Sequence, residues 1–384
     1  MRSGNSLQRS AARVRLGSST GRRRNKTSTG GSFRCRVGAS TILAALLGVV
    51  FIGLSACGSS GGTAISQTYS FTDTAGRVVQ VPLKVNRLVT VGYPPVSDGW
   101  VAAVGGENLL VNGIPGYDSS EFYRAYKILA PRLIRLPNVE SALGGPINPE
   151  ELLTLKPDVA ITADAATANQ IQKLGVPAVV INDLSTGVGI ERDVTLVGQL
   201  LNKQKAAAGY VSYFNNIINQ VRQTAATVPA AERPSVLYAS MGPLTRPNLV
   251  MGWMLGVIGA HDVTAGITVP AYKFSIEQLF VWDPDVIIGH DPSDLPGFMQ
   301  NPQFSTLQAV RTKRVGIIPQ GLNTWGDNTA EQPLGLLWTA KYLYPMQFAK
   351  TDMAEEVKTF YSRFLQVNLT DAQANQILNA GTAS

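Results

Sequence analysis

Asn148-Pro149-Glu150-Glu151-Leu152-Leu153, closed by Pro157-Asp158 and followed by the apolar run Val159-Ala160-Ile161, recurs 127 residues on. The second copy reads Ser275-Ile276-Glu277-Gln278-Leu279, then Pro284-Asp285 and Val286-Ile287-Ile288. In each copy an N-cap residue opens a helix and Glu or Gln sits three positions on, as a capping box requires. A Pro-Asp pair then stops the helix ahead of a strand. Two such helix-strand units, one per half, predict an α/β fold assembled twice. Glu150 and Glu277 occupy the same place in the first helical turn, so lobes of approximate two-fold symmetry each carry one exposed carboxylate. Stabilising a helix N-terminus by about 0.3–1 kcal/mol is reason enough for either acid alone. Capping needs no duplication, however, and the matched pair points to a docking surface.

Outward from the repeat, helices and strands alternate, which predicts parallel, doubly wound sheets. In the first half Phe71 to Val81 reads as a hairpin with an Ala-Gly turn and Arg87 to Gly92 as a buried strand. Val96 to Val104 reads as a helix, Asn108 to Ile114 as a strand, Ser120 to Leu129 as helical, and Ala178 to Ile181 as a strand. The longest helical pattern runs from Lys203 to Val228, with Ala207, Val211, Phe214, Ile218 and Val221 spaced 4, 3, 4, 3. It is long enough to bridge two lobes, and a peripheral helix packed on one domain has the same periodicity. A second alternation follows: strand Ser235 to Ser240, helix Met251 to Ile258, the repeat, strand Val315 to Pro319, helix Glu331 to Leu343, and helices over Asp352 to Leu365 and Asp371 to Leu378. The domain reading is a leader over 1–56, a tether over 57–68, an N-terminal lobe over 69–200, a bridging helix over 201–229 and a C-terminal lobe over 230–384. Each lobe is expected to have its own core.

The net charge of +7 suggests nucleic acid or an anionic surface, but ten of the 33 basic residues and none of the 26 acids lie in the first 56 positions. Without them 23 basic residues face 26 acids, so the body is near −3 and nucleic-acid binding loses its support. The leader has a positive n-region, an apolar run from Ile42 to Leu54 too short for a membrane span, and small residues after it, the pattern of an export signal. It ends Leu54-Ser55-Ala56-Cys57-Gly58, similar to the lipobox of bacterial lipoproteins. That resemblance implies lipidation of Cys57, a Ser/Gly-rich tether up to about Gln67, and anchorage on the outer face of the cell membrane. Cys35 falls in the leader, so the folded part has no disulfide and no thiol nucleophile. Enzyme chemistry finds little support. Two His cannot make a three-His metal site, no Gly-x-Ser-x-Gly elbow lies between a strand and a helix, and no glycine-rich phosphate loop follows a strand. No cofactor is expected.

With the lipobox, the two halves, the long helix and the repeated Glu, the chain resembles the extracytoplasmic solute-binding proteins of ABC importers. Within them it looks like the class that carries iron-siderophore, haem and cobalamin, whose lobes are joined by one rigid helix. The resemblance covers about residues 68–382. It is carried by Phe71-Thr72-Asp73-Thr74-Ala75-Gly76-Arg77, the run Asn148 to Ile161, and Glu331-Gln332-Pro333-Leu334-Gly335-Leu336-Leu337-Trp338. It implies that Glu150 and Glu277 meet arginines of a membrane permease, and that a metal chelate, a ferric siderophore foremost, binds between the lobes at the carboxyl ends of the strands. Cobalamin, haem, a nickel chelate, or a ligand-sensing lipoprotein without transport are the alternatives. Candidate ligand contacts are Tyr93, Trp253, Tyr272, His290, Asn323 and Trp325, because flat aromatic walls with few charges suit a large or planar chelate. Trp253 reads equally well as a packing residue. Some siderophore binders of this class set His, Tyr or Arg on the iron complex, and no full set of that kind is found here.

Overall fold

A computed structural model of the chain describes residues 67–116, 123–182 and 189–379. Cys57 and the leader lie outside the described residues, as do 120–122 of the helix expected from Ser120. The residues from Gly62 on form one compact unit. In the first half the elements are β1 (Thr68–Thr72), β2 (Val78–Pro82), β3 (Leu88–Val91), α1 (Pro94–Ala103), α2 (Tyr126–Leu129), α3 (Pro149–Thr154), β4 (Val159–Thr162), α4 (Ala165–Lys173), β5 (Ala178–Val180) and α5 (Gly189–Leu200). The long helix α6 (Gln204–Ala225) follows. The second half holds β6 (Ser235–Ala239), β7 (Thr245–Arg246), α7 (Val250–Ile258), β8 (His261–Asp262), β9 (Tyr272–Lys273), α8 (Ile276–Trp282), β10 (Val286–Gly289), α9 (Asp294–Met299), α10 (Gln308–Arg311), β11 (Val315–Ile317), α11 (Gln332–Leu343), α12 (Met353–Phe360) and α13 (Asp371–Leu378).

Both halves use one strand order. The first sheet runs β3-β4-β5, all parallel, with Leu110 bridged in parallel to Leu88 on the outer side of β3. The second runs β8-β6-β10-β11, also all parallel, so β8 stands where Leu110 stands in the first. The strand expected over Asn108 to Ile114 is reduced to that single bridge. A side chain replaces it: Asn112 Oδ1 accepts from Thr90 N at 3.0 Å, and Asn112 Nδ2 donates to Thr90 O at 2.9 Å, the pair of bonds a neighbouring strand would supply.

The repeat explains how each sheet is pinned. Asn148 accepts from the backbone of Glu150 and Glu151, and Ser275 from that of Gln278, so both N-caps form. After each helix a non-glycine residue takes a left-handed conformation just before the Pro, Lys156 at φ 46° and Asp283 at φ 35°. The Asp of each Pro-Asp pair then ties in the first strand of its sheet. Asp158 Oδ2 accepts from Asn86 N at 2.6 Å and Arg87 N at 2.9 Å, and Asp285 Oδ2 accepts from Ser235 N at 2.8 Å.

Strand side chains alternate between faces, and the two faces feed different cores. Leu88, Val159, Ile161 and Val179 of the first sheet, with Val236, Tyr238, Val286 and Ile288 of the second, join one continuous inner core. Val89, Val91, Ala160 and Val180 pack outward on α3 and α4, while Leu237, Ala239 and Ile287 pack outward with Leu279 and Phe298. The expectation of a separate core in each lobe is therefore corrected: the halves share their main one. Helix α6, 22 residues and roughly 33 Å at 1.5 Å per residue, runs through it. It packs on α1 and α5 from the first half and on α7 and α11 from the second. The contact with α5 is close because Gly198 has no side chain; a Cβ there would stand 2.5 Å from that of Ala207. Helix α5 itself escaped the sequence reading, although Ile190, Val194 and Val197 mark its buried stripe.

Three further contacts join the halves. Asn328 Nδ2 donates to Asp193 Oδ2 on α5 at 3.2 Å, Tyr210 Oη on α6 donates to Ala330 O at 2.8 Å, and Ala330 packs against Gly99 of α1. The chain's end also returns to the first half, the turn Tyr361–Leu365 after α12 packing on α1.

Candidate functional site

A cavity of about 320 Å³ opens where the strands of both sheets end. Tyr93 follows β3, Ala163 follows β4, and Ile181 and Asn182 follow β5; Val96, Ser97 and Trp100 reach it from α1. From the second half come His290 after β10, the segment Pro247 to Val250 entering α7, Pro270, and Asp327 with Asn328. Such a mouth at the carboxyl ends of parallel strands is where α/β folds hold ligands.

The walls differ in charge. Asp327 is the centre of the polar side. Its Oδ1 accepts from Asn248 Nδ2 at 2.5 Å, and its Oδ2 accepts from Asn323 Nδ2 at 3.3 Å and faces His290 Nε2 at 3.4 Å. Burial pulls the His290 pKa down, but the charge and hydrogen bond of Asp327, helped by Asp294 and Asp291, outweigh it and raise the pKa above the usual imidazole value. Opposite stand phenols. Tyr93 donates a hydrogen bond to Tyr123, and burial, reinforced by Asp327, pushes the Tyr123 phenol up to about 12 and raises Tyr93 as well, so both stay neutral.

The first half has its own carboxyl, but hidden. Asp98 on α1 is buried, accepts from Thr90 Oγ1 at 2.7 Å through Oδ1, and leaves Oδ2 without a partner. Burial pushes it up to about 8, so it is protonated and neutral at neutral pH.

Behind the polar wall lies a second buried acid. Glu331 accepts from the backbone of Leu322 at 2.8 Å and Asn323 at 3.0 Å and from Tyr361 Oη at 2.5 Å, fixing the loop that presents Asp327. Burial raises its pKa, opposed by these bonds. Gly321 makes this possible, since a Cβ there would meet Glu331 Oε1 at 1.9 Å. Arg246 fixes the other lip by donating to Ile267 O, Val269 O and Thr264 Oγ1, just before Pro270.

The family model for "Periplasmic binding protein" matches residues 95–322, more than half of the chain. The chain belongs to this family. Molybdate-binding protein MolA of Haemophilus influenzae is 24% identical over 77% of this periplasmic binding protein and 91% of the relative. Its molybdate-bound structure superposes with a TM-score of 0.69 at 22% identity, covering 79% of this chain and 99% of that one. A periplasmic solute-binding protein of Veillonella parvula gives 0.68 at 29% identity, covering 82% and 97%. The structure of CeuE from Helicobacter pylori in complex with nickel and histidine gives 0.64 at 18%, covering 81% and 99%, a likeness of fold.

Of the six ligand contacts expected for this binding protein, Tyr93 and His290 line the cavity. Asn323 stands one bond behind it, through Asp327. Trp325 does not: it is fully buried in the shared core, because the Gly/Asn-rich loop that carries it folds inward beneath the cleft. Trp253 packs its ring 5.9 Å from that of Phe214 of α6, and Tyr272 lies tilted against Trp282 with ring centres 6.5 Å apart; neither lines the cavity. The sequence reading missed Asp327, Asn328, Asn248, Asn182 and Trp100. Asp327 and Asn328 stand two and three positions after Trp325, the aromatic candidate of the same stretch. Glu150 and Glu277 are both exposed, one in each half.

Proposed function

We propose that this periplasmic binding protein is a lipid-anchored substrate-binding component of an ABC importer, held by Cys57, that captures a compact metal chelate in the cavity and passes it to a permease. The single observation behind the ligand class is the Asp327–His290 pair facing an uncharged wall of Tyr93, Ser97, Trp100 and Asn182. A tetraoxoanion such as the molybdate of the Haemophilus relative is disfavoured, because among the described residues no Lys or Arg lines the cavity and a carboxylate does. A bare divalent ion is disfavoured too. Among the described residues no cluster of three or more His, Cys, Asp or Glu can hold a metal, so most donors must arrive with the ligand. The volume lies at the low end of ligand pockets, roughly 300–1,000 Å³, which favours a small ferric siderophore or an amino-acid chelate of nickel over cobalamin. Glu150 and Glu277 serve as docking carboxylates in this reading. Topology supports it: a helix of a βαβ unit begins at the carboxyl edge of its sheet, so α3 and α8 both start on the cleft side.

Trp100 in the wall is the reporter. Titration of tryptophan fluorescence with nickel–histidine, a small ferric siderophore, haemin, cyanocobalamin and molybdate is expected to quench with a chelate of the first two kinds and to lose its signal in Trp100→Phe. A response to molybdate alone would overturn the chelate reading, and silence across the panel would remove the cavity as the site.

A further inference from the structure

Resting on the docking reading above, we propose that each docking helix carries an apolar anchor beside its carboxylate, Leu153 on α3 and Phe280 on α8, and that the permease offers a basic-plus-apolar socket to each. The two anchors occupy the same register of the repeat, 127 residues apart, each three positions after its Glu. Residues three apart share one face of a helix. Leu153 is 47% exposed and Phe280 37%, and Val281, one further on, is 78% exposed.

A single exposed hydrophobe is ordinary. Here seven large hydrophobic residues are exposed among the described residues, and three of them lie on these two short helices. Nothing in the cap or the strand tie needs them: the caps use Asn148 and Ser275, and the ties use Asp158 and Asp285. The buried faces are already filled by Leu152 and Leu279, one position earlier in each copy. Charge identifies the partner's chemistry. Acids occupy the first turns, Glu150 and Glu151 on α3 and Glu277 on α8, and neither helix has a basic residue in its last turn, so the complementary surface is basic with an apolar centre. The copies are unequal, Phe280 and Val281 standing where the first has Leu153 and Thr154, so the second half should grip harder.

The test uses the full chain in proteoliposomes with its cognate permease, reading association and, separately, fluorescence quenching by the chelate. Leu153→Ser with Phe280→Ser is expected to weaken association at least tenfold at both 0.15 M and 0.5 M salt, with chelate affinity within twofold, because apolar burial is not screened. Glu150→Gln with Glu277→Gln is expected to weaken association and flatten its salt dependence. Phe280 also packs 6.4 Å from Phe304, so Phe280→Leu serves as the rescue and should restore most of the loss caused by Phe280→Ser. Loss in the Glu pair with none in the Ser pair overturns the anchors and leaves the docking reading standing. No loss in either pair overturns both. A loss in the Ser pair that follows the melting temperature and resists rescue by Phe280→Leu also overturns the anchors.

Discussion

The two halves are alike in what holds them and unlike in what they show the ligand. Strand order, cap, left-handed residue before Pro, and Asp tie to the first strand all recur. At the cleft the likeness ends. Ala163 occupies the place of His290 in the repeat, and Asp98 of the first half is buried and neutral while Asp327 of the second faces the cavity. A frame can be duplicated because its bonds are backbone and cap geometry. Recognition cannot, because a ligand held between two surfaces has no reason to be symmetric.

That contrast can be broken where the halves fuse. Trp325→Ala empties the largest side chain beneath the cleft and should cost about 3–5 kcal/mol in urea unfolding. A loss below about 1 kcal/mol would mean that the shared core does little. Asp98→Asn sharpens the contrast in charge. The folded state keeps the Asp98 proton up to about pH 8, whereas the unfolded chain releases it near pH 4, so stability falls as pH rises between those values. The Asn variant should match the parent near pH 4 and exceed it by up to about 5 kcal/mol at pH 8, and an unchanged pH slope would count against a neutral Asp98.

Equivalence of the frames is checked by Asp158→Ala and Asp285→Ala. Each should cost about 1–2 kcal/mol, because each carboxylate accepts two bonds, Asp158 from Asn86 N and Arg87 N and Asp285 from Ser235 N and Ser235 Oγ. A several-fold disparity would end the claim that one device pins both sheets. The smallest effect belongs to His290. Its raised pKa favours the charged form in the fold, so pairing with Asp327 stabilises fully below about pH 6.5 and is lost as pH climbs through the raised value. His290→Asn should flatten the melting temperature between pH 6 and 8 by the equivalent of about 0.5–1 kcal/mol.

The frame was legible because its signals are local: a cap residue, a Pro-Asp stop and an apolar run each lie within a few positions. Even so, only half of each expected capping box is seen, the side chain of Asn148 or Ser275 accepting from the helix backbone. Asn112 could not be read, since an amide standing in for a strand depends on Thr90, 22 positions away. The cleft was legible as a place, from strand ends, and its polarity was not. Tyr93 and His290 follow strands directly and were found, whereas Asp327 reaches the cavity only because Glu331 folds its loop back. Trp325 was drawn to the site by the company it keeps, yet flat aromatic bulk is worth as much under a floor as on a wall.

Asn328 bound to α5 and Ala330 bound to α6 leave the loop under the cavity bolted on both sides. A clamshell on a slack strap opens by thermal chance, but a vice with its jaws cross-braced does not. Cargo seated here would stay until some outside lever spreads the jaws, and under the importer proposal that lever is the permease.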